Sequence, residues 1–325
     1  MKRITTAAMI VLLAAGPAFA QAQSDNYPNR PIVWVVPFPP GGSTDNGARA
    51  MSKALGEKLG QPVIVDNKPG AGGIVGTEYV MNAKPDGYTV LYGSSGPIGT
   101  FLALYKNLSY HPVDSFVPVS GMASSPLVLV TTPAKPYKTF AELIDFAKKN
   151  PGKLNYASAG SGTAQHLTGA LLAMSTGTEM THIPYKGAGP ASIDTLSGVI
   201  DIMFDLPVVV KPQIEAGKFI PLAVAASQRL SSLPDVPTTA ELGFPDIVFT
   251  SWSIVLMPKG TPAPIVEKFK AAFIEAMNDP FVTKYYENLG SQIMPAMTRE
   301  ELTDFITREN AKTRAIIEKA NITPD

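Results

Sequence analysis

The stretch IVWVVPFPPGGSTDNGAR, residues 32–49, decides the architecture. Ile32 to Val36 form a continuous apolar run, the pattern of a strand buried on both faces. Two glycines and a cluster of small polar residues interrupt it. Ala48, Met51, Leu55 and Leu59 then recur at helical spacing, and Gly60 ends the helix. A strand, a small-residue loop and a helix make the repeating unit of parallel α/β sheets. The loop is built like a phosphate cradle, yet no lysine follows its glycines, and G-x-x-x-x-G-K-[ST] occurs nowhere in the chain.

The alternation continues outward from this unit. Strands are expected at 62–65, 88–92, 154–157, 181–184, 200–204 and within 247–257. Helices are expected near 76–82, from Thr139 to about Lys149, behind Thr163, up to Leu196, over 264–277, and from Thr298 onward. Thr139 with Glu142, and Thr298 with Glu301, are spaced as capping boxes. The apolar segments 117–130 and 219–226 read as two crossings between lobes. Residues 27–125 and 226–325 then form lobe one, and 126–225 form lobe two.

Lys2 and Arg3, the apolar run Met9 to Ala15, and Ala18-Phe19-Ala20 make residues 1–20 a secretory signal peptide. Cleavage is placed after Ala20, with Ala22 as the alternative. Without that segment 25 basic and 27 acidic side chains remain, a balance that opposes nucleic acid or an anionic membrane as partner. The chain has no cysteine, which excludes disulfides, a thiolate nucleophile and Cys-based metal sites. With 27 glycines and 30 prolines, many tight turns are expected.

Catalytic signatures fail one by one. Gly70-Ala-Gly-Gly-Ile-Val75 misses the dinucleotide fingerprint because its last glycine comes one residue late, at Gly76. Ser43, Ser95 and Ser161 each lack one flank of a nucleophile elbow. His111, His166 and His182 are dispersed, with no zinc spacing. His166 falls in the first turn of a helix, facing either a ligand or the packing beneath. Asp45 and Asp205 converge on one site in an enzymatic reading, that of a secreted hydrolase or lyase, but Asp45 is equally a helix N-cap or first-turn residue.

One device recurs three times: a strand, a small-residue loop, then a helix start. The loops are Pro40 to Asp45, Ser158 to Thr163, and Tyr185 to Pro190. Loops after parallel strands gather at one sheet edge, where ligands bind. The free amides and positive dipole end of each helix favour an anion there. Two such sets on facing lobes make a clamp for an anion.

Tyr27-Pro-Asn-Arg-Pro-Ile32, Val36-Pro-Phe-Pro-Pro-Gly-Gly-Ser-Thr-Asp45 and Val65-Asp-Asn-Lys-Pro-Gly-Ala-Gly-Gly73 resemble the substrate-binding receptors of tripartite tricarboxylate transporters, the Bug receptors. Lys84-Pro-Asp-Gly-Tyr88, Tyr185-Lys-Gly-Ala-Gly-Pro190 and the segment 198–205 continue the resemblance over essentially the whole mature chain. It implies an α/β, two-lobed periplasmic binding protein of type II, a Venus flytrap with a mainly parallel sheet in each lobe and two crossing segments. It implies capture of a small mono- or dicarboxylate, no cofactor, no catalysis, a periplasmic location and delivery to membrane permease subunits. A ligand-sensing adaptor for a signalling partner is the alternative, and a monomer is expected. The implied contacts are Phe38, Pro40, Gly41, Gly42, Ser43, Thr44 and Asp45 on one side. Opposite lie Ser158, Gly160, Ser161, Gly162, Thr163 and His166, with Tyr185, Lys186, Gly187 and Gly189. Ser94, Ser95 and Asp205 match positions around the cleft. Lys186 is the one cation in these loops, either neutralising a carboxylate or solvated in a turn.

Overall fold

The computed structural model describes residues 26–324, so the signal segment expected at 1–20 lies outside them. The quoted stretch folds as read: β1 (Ile32–Val36) is followed by α1 (Ser43–Leu59). Next come β2 (Val63–Asn67), α2 (Ile74–Met81) and β3 (Thr89–Ser94). A π-helical turn (Ser95–Thr100) and the short α3 (Phe101–Leu104) lead to β4 (Phe116–Pro126). Only Leu127 separates β4 from β5 (Val128–Thr131), the strand with which the chain enters a second sheet. That sheet adds α4 (Phe140–Lys149), β6 (Leu154–Ser158), α5 (Ala164–Thr176) and β7 (Met180–Pro184). It is completed by α6 (Ala188–Leu196), β8 (Ile202–Asp205), α7 (Pro207–Glu215) and β9 (Ile220–Val224). The chain returns through β10 (Thr250–Pro258), α8 (Ala263–Met277), α9 (Pro280–Asn288), β11 (Gln292–Ile293) and α10 (Arg299–Lys319).

The first sheet has the order β11-β4-β10-β3-β1-β2, and the second β7-β6-β8-β5-β9. Both are mixed rather than mainly parallel. Strands β2, β1 and β3 are parallel, as are β7, β6 and β8, but in the first sheet β10 pairs antiparallel with β3 and β4, and β11 antiparallel with β4. In the second sheet β5 pairs antiparallel with both β8 and β9. The reason is topological: a strand that crosses from one sheet to the other enters its new sheet against the direction of the local trio. Segment 117–130 crosses as expected. Segment 219–226 does not carry the return, because its apolar run is β9, an edge strand buried through Leu222, Ala223 and Val224. Residues after it stay on the second sheet, with Ala225 N–H donating to Leu127 O at 2.8 Å and the rings of Phe140 and Phe244 5.5 Å apart. The return follows Phe249.

Each trio is covered by helices. Trp34 on β1 is fully buried, stacked on Tyr92 at 6.0 Å and edge-on to Phe273 of α8, also at 6.0 Å. Each buried side chain of this size contributes roughly 1.5–3 kcal/mol. A second core joins the lobes: Phe101, Leu104, Ile316 and Ile317 pack with Leu167 and Leu171 of α5. Helices α7 and α9 escaped sequence reading because Pro207, Pro212 and Pro280 disguise their periodicity.

Both capping boxes form. Thr139 accepts from Glu142 N–H at 3.2 Å while Glu142 accepts from Thr139 N–H at 3.1 Å, and Thr298 with Glu301 does the same. Thr139→Ala should therefore lower unfolding free energy by about 1 kcal/mol in denaturant titration, with no change in m-value.

Candidate ligand-binding cleft

Gly42 is the N-cap of α1, and no side chain caps that helix. The backbone ladder starts with Asn46 N–H to Gly42 O at 2.9 Å, leaving the amides of Ser43, Thr44 and Asp45 ahead of it. Asp45 is 2% exposed and turned back into the loop. It accepts from Gly41 N–H at 2.9 Å, from Arg49 Nε at 3.0 Å and from Asn67 Nδ2 at 3.0 Å. Asn67 Nδ2 also donates to Phe38 O at 3.0 Å, so β2 fixes both ends of the loop. Burial raises the Asp45 pKa, but the bonds from Arg49, Gly41 and Asn67 outweigh burial and hold it below the usual carboxylate range. Asp45 is a loop fastener in the first turn, neither the cap nor a free acid.

The second lobe repeats the device at the end of β6. Ser158 Oγ accepts from Gly160 N–H at 3.1 Å and lies 2.6 Å from His182 Nε2. The Thr163 hydroxyl donates to Gly160 O at 2.7 Å, so it ties the loop and leaves the start of α5 without a side-chain cap. His166, 6% exposed, accepts from Gly162 N–H at Nδ1 over 3.1 Å. Its ring stacks on His182 with centroids 3.6 Å apart and planes 10° apart. His166 thus sits beneath the loop as its support. Burial, then the neighbouring His182, push its pKa down to about 3.

Tyr185 joins this platform, its N–H donating to Ser158 O at 3.1 Å and its hydroxyl to Asp194 at 2.7 Å. Gly187 is the N-cap of α6, again without a side-chain cap, while Lys186 and Gly189 are exposed. Asp205, at the end of β8, is 0% exposed. Its Oδ1 accepts from Gln165 Nε2 at 3.1 Å and from Leu206 N–H at 2.8 Å, while Oδ2 has no hydrogen-bond partner among the described residues. Burial pushes its pKa up to about 6, against the bonds from Leu206 and Gln165.

The lobes meet beside these loops. A Cβ on Gly162, whose φ is +74°, would lie 2.5 Å from Leu104 and 3.1 Å from Phe101 of lobe one. Gly162 therefore allows the closest approach of the second loop to lobe one. Phe38 and Pro97 flank Gly73 on lobe one, so the first loop and the turn after β3 run together toward that contact. In that turn Ser95 Oγ is 3.4 Å from Ser251 Oγ, and Ser94 Oγ is buried without a partner among the described residues. Pro40, Gly41 and Gly42 are exposed and Ser43 and Thr44 half-buried. The supports Arg49, Asn67, Gln165, His182 and Ser251 are not legible as such in the sequence. Asn67 falls inside the stretch that carries the family resemblance, but nothing local signals its bonds. Among the described residues no group of three His, Cys, Asp or Glu side chains could hold a metal ion, and no helix is long and apolar enough to cross a membrane.

Two mixed α/β sheets joined by crossing strands fit the two-lobed periplasmic binding protein class. Residues 48–322 match the family model described as the tripartite tricarboxylate transporter family receptor, and the chain belongs to that family. Protein BugT of Bordetella pertussis is 38% identical over 312 residues, covering 95% of this chain and 95% of BugT. The structure of MatC from Rhodopseudomonas palustris with bound malate is 32% identical, with a TM-score of 0.84 over 90% of this chain and 100% of that one. A second R. palustris structure, with adipate, is 33% identical, with a TM-score of 0.87 over 92% and 100%.

The histidine beneath the second loop makes stability depend on pH. An unfolded histidine takes its proton near 6.5, whereas His166 does so only near 3. Between those values the unfolded chain binds the extra proton, so this contribution is complete above pH 6.5 and lost as pH falls, at about 1.4 kcal/mol per unit. His166→Asn keeps an acceptor for Gly162 N–H and removes the titration. Its unfolding free energy should lose one proton's worth of slope between pH 6.5 and 4; an unchanged slope would contradict the assignment.

Proposed function

We propose that the protein is a periplasmic receptor that closes its lobes on a small mono- or dicarboxylate and hands it to the permease of a tripartite tricarboxylate-type transporter. The carrying observation is where three helix starts without side-chain caps fall, each directly after a small-residue loop at the end of a parallel strand. Helices α4 and α10 satisfy their first amides with complete capping boxes, whereas α2, α7 and α8 start without a side-chain cap elsewhere in the fold. Helices α1, α5 and α6, which follow the three small-residue loops, carry no side-chain cap. Their amides and dipole ends suit an anion supplied from outside the chain. A carboxylate needs less positive charge than a triphosphate, which accords with a first loop that has no lysine. Lys186 beside Gly187 is positioned to balance remaining charge.

Malate and adipate in the two related structures support an organic acid as ligand. In this reading Phe38 and residues 40–45 form one jaw, and residues 158–163 with 185–189 the other. Asp45 is bound by three donors, which removes it as the free acid of a hydrolase or lyase reading and leaves that reading only Asp205. Differential affinity of the ligand for the closed lobes drives closure. The leader sequence and the family favour the periplasm as the site of action.

A thermal-shift screen against organic acids, sugars and amines tests the reading. The cognate acid at about 100 times its Kd should stabilise the protein by roughly 2.7 kcal/mol. Stabilisation by sugars or amines alone would sink it. Gly42→Val localises the site: Gly42 has φ of −77°. A Cβ there meets only Pro39 O, at 3.7 Å. The variant should keep its Tm and lose acid binding at least tenfold.

A further inference from the structure

Two buried polar atoms at the ends of strands β8 and β3 lack partners among the described residues, and neither belongs to the starts of α1, α5 or α6. One is Asp205 Oδ2, on a side chain that is 0% exposed; the other is Ser94 Oγ, on a residue 8% exposed. Strand register places each at the end of its sheet from which a small-residue loop leaves. Strand β8 runs parallel to β6 with Met203 level with Ala157, so Asp205 emerges at the edge from which Ser158 leads into the second loop. Asp205 also pairs with Val128, the first residue of β5 after the crossing at Leu127. Ser94 ends β3, whose parallel neighbour β1 leads into the first loop, and it pairs with Ser253. Gln165, in the first turn of α5, ties Asp205 to the second jaw.

A buried carboxylate oxygen without a donor is costly, and no cation bonds to Asp205. A ligand that brought a second ionised carboxylate to this point would meet like charge in a site shielded from water. A ligand hydroxyl or amino group would instead donate a charge-assisted hydrogen bond. We infer that Asp205 Oδ2, together with Ser94 Oγ at the end of β3, reads the end of the ligand remote from its clamped carboxylate and selects acids bearing a hydroxyl or amino donor there over dicarboxylates. This rests on the carboxylate reading above and narrows its substrate class.

Asp205→Asn changes one atom of the reader. Leu206 N–H and Gln165 Nε2 both donate to Oδ1, which an asparagine retains, so its Nδ2 stands where the free oxygen was and turns an acceptor into a donor. The experiment is calorimetry at pH 8, where Asp205 is ionised, with ω-hydroxy acids and dicarboxylates of equal chain length from three to six carbons. The wild-type protein should bind the best hydroxy acid at least tenfold more tightly than its matched dicarboxylate. Asp205→Asn, checked for an intact Tm, should bring the two within a few-fold or reverse them. Ser94→Ala should weaken the hydroxy acid several-fold with little effect on the dicarboxylate. Equal or tighter dicarboxylate binding by wild type, or a preference that Asp205→Asn leaves unchanged, overturns the inference while the carboxylate reading stands. If neither series binds, the carboxylate reading falls and the inference falls with it.

Discussion

The first amides of an α-helix have no partner inside the helix, and what satisfies them governs the rest of this molecule. At Thr139 and Thr298 the helix's own side chains satisfy them, while α2, α7 and α8 start without a side-chain cap. Where α1, α5 and α6 follow the small-residue loops, no side chain does so. The two sheets then bring these open starts to the edges where the lobes meet. In the proposed reading an anion completes them, and an anion between two lobes would hold the lobes together.

Open amides are useful only if their loops stay rigid, and the first two loops each have a dedicated fastener beneath them. In lobe one the fastener is Asp45, ionised and held by Arg49, Gly41 and Asn67. In lobe two it is the stacked pair His166 and His182, which reach Gly162 N–H and Ser158 Oγ. The chemistry differs, but the logic is common: a polar side chain is turned inward to hold the loop while the backbone is left facing out. If recognition runs through the backbone as proposed, one fold can serve many acids, with selectivity left to a few buried groups such as Asp205.

Much of this was legible in the sequence because it rests on local rules. Five apolar residues before Gly41-Gly42, helical spacing through Leu59, and Thr-x-x-Glu at two helix starts each state their structure within a few residues. The three loops were found the same way. What stayed hidden depends on partners remote in sequence: Asn67 on Asp45, 22 residues away, and Gln165 on Asp205, 40 residues away. The expectation of mainly parallel sheets failed for a related reason. Strand direction in β5 and β10 is set by the crossing between lobes, which no local pattern records. The apolar run at 219–226 likewise reads the same as a crossing or as edge strand β9, since periodicity reports burial but not the sheet to which a strand belongs.

The most direct test is a crystal structure of the protein with its acid bound. The account predicts carboxylate oxygens within about 3 Å of backbone amides among residues 42–45 on one lobe and 158–163 on the other, in the range of charge-assisted hydrogen bonds. A bound acid held chiefly by side-chain cations, or seated away from these helix starts, would contradict it.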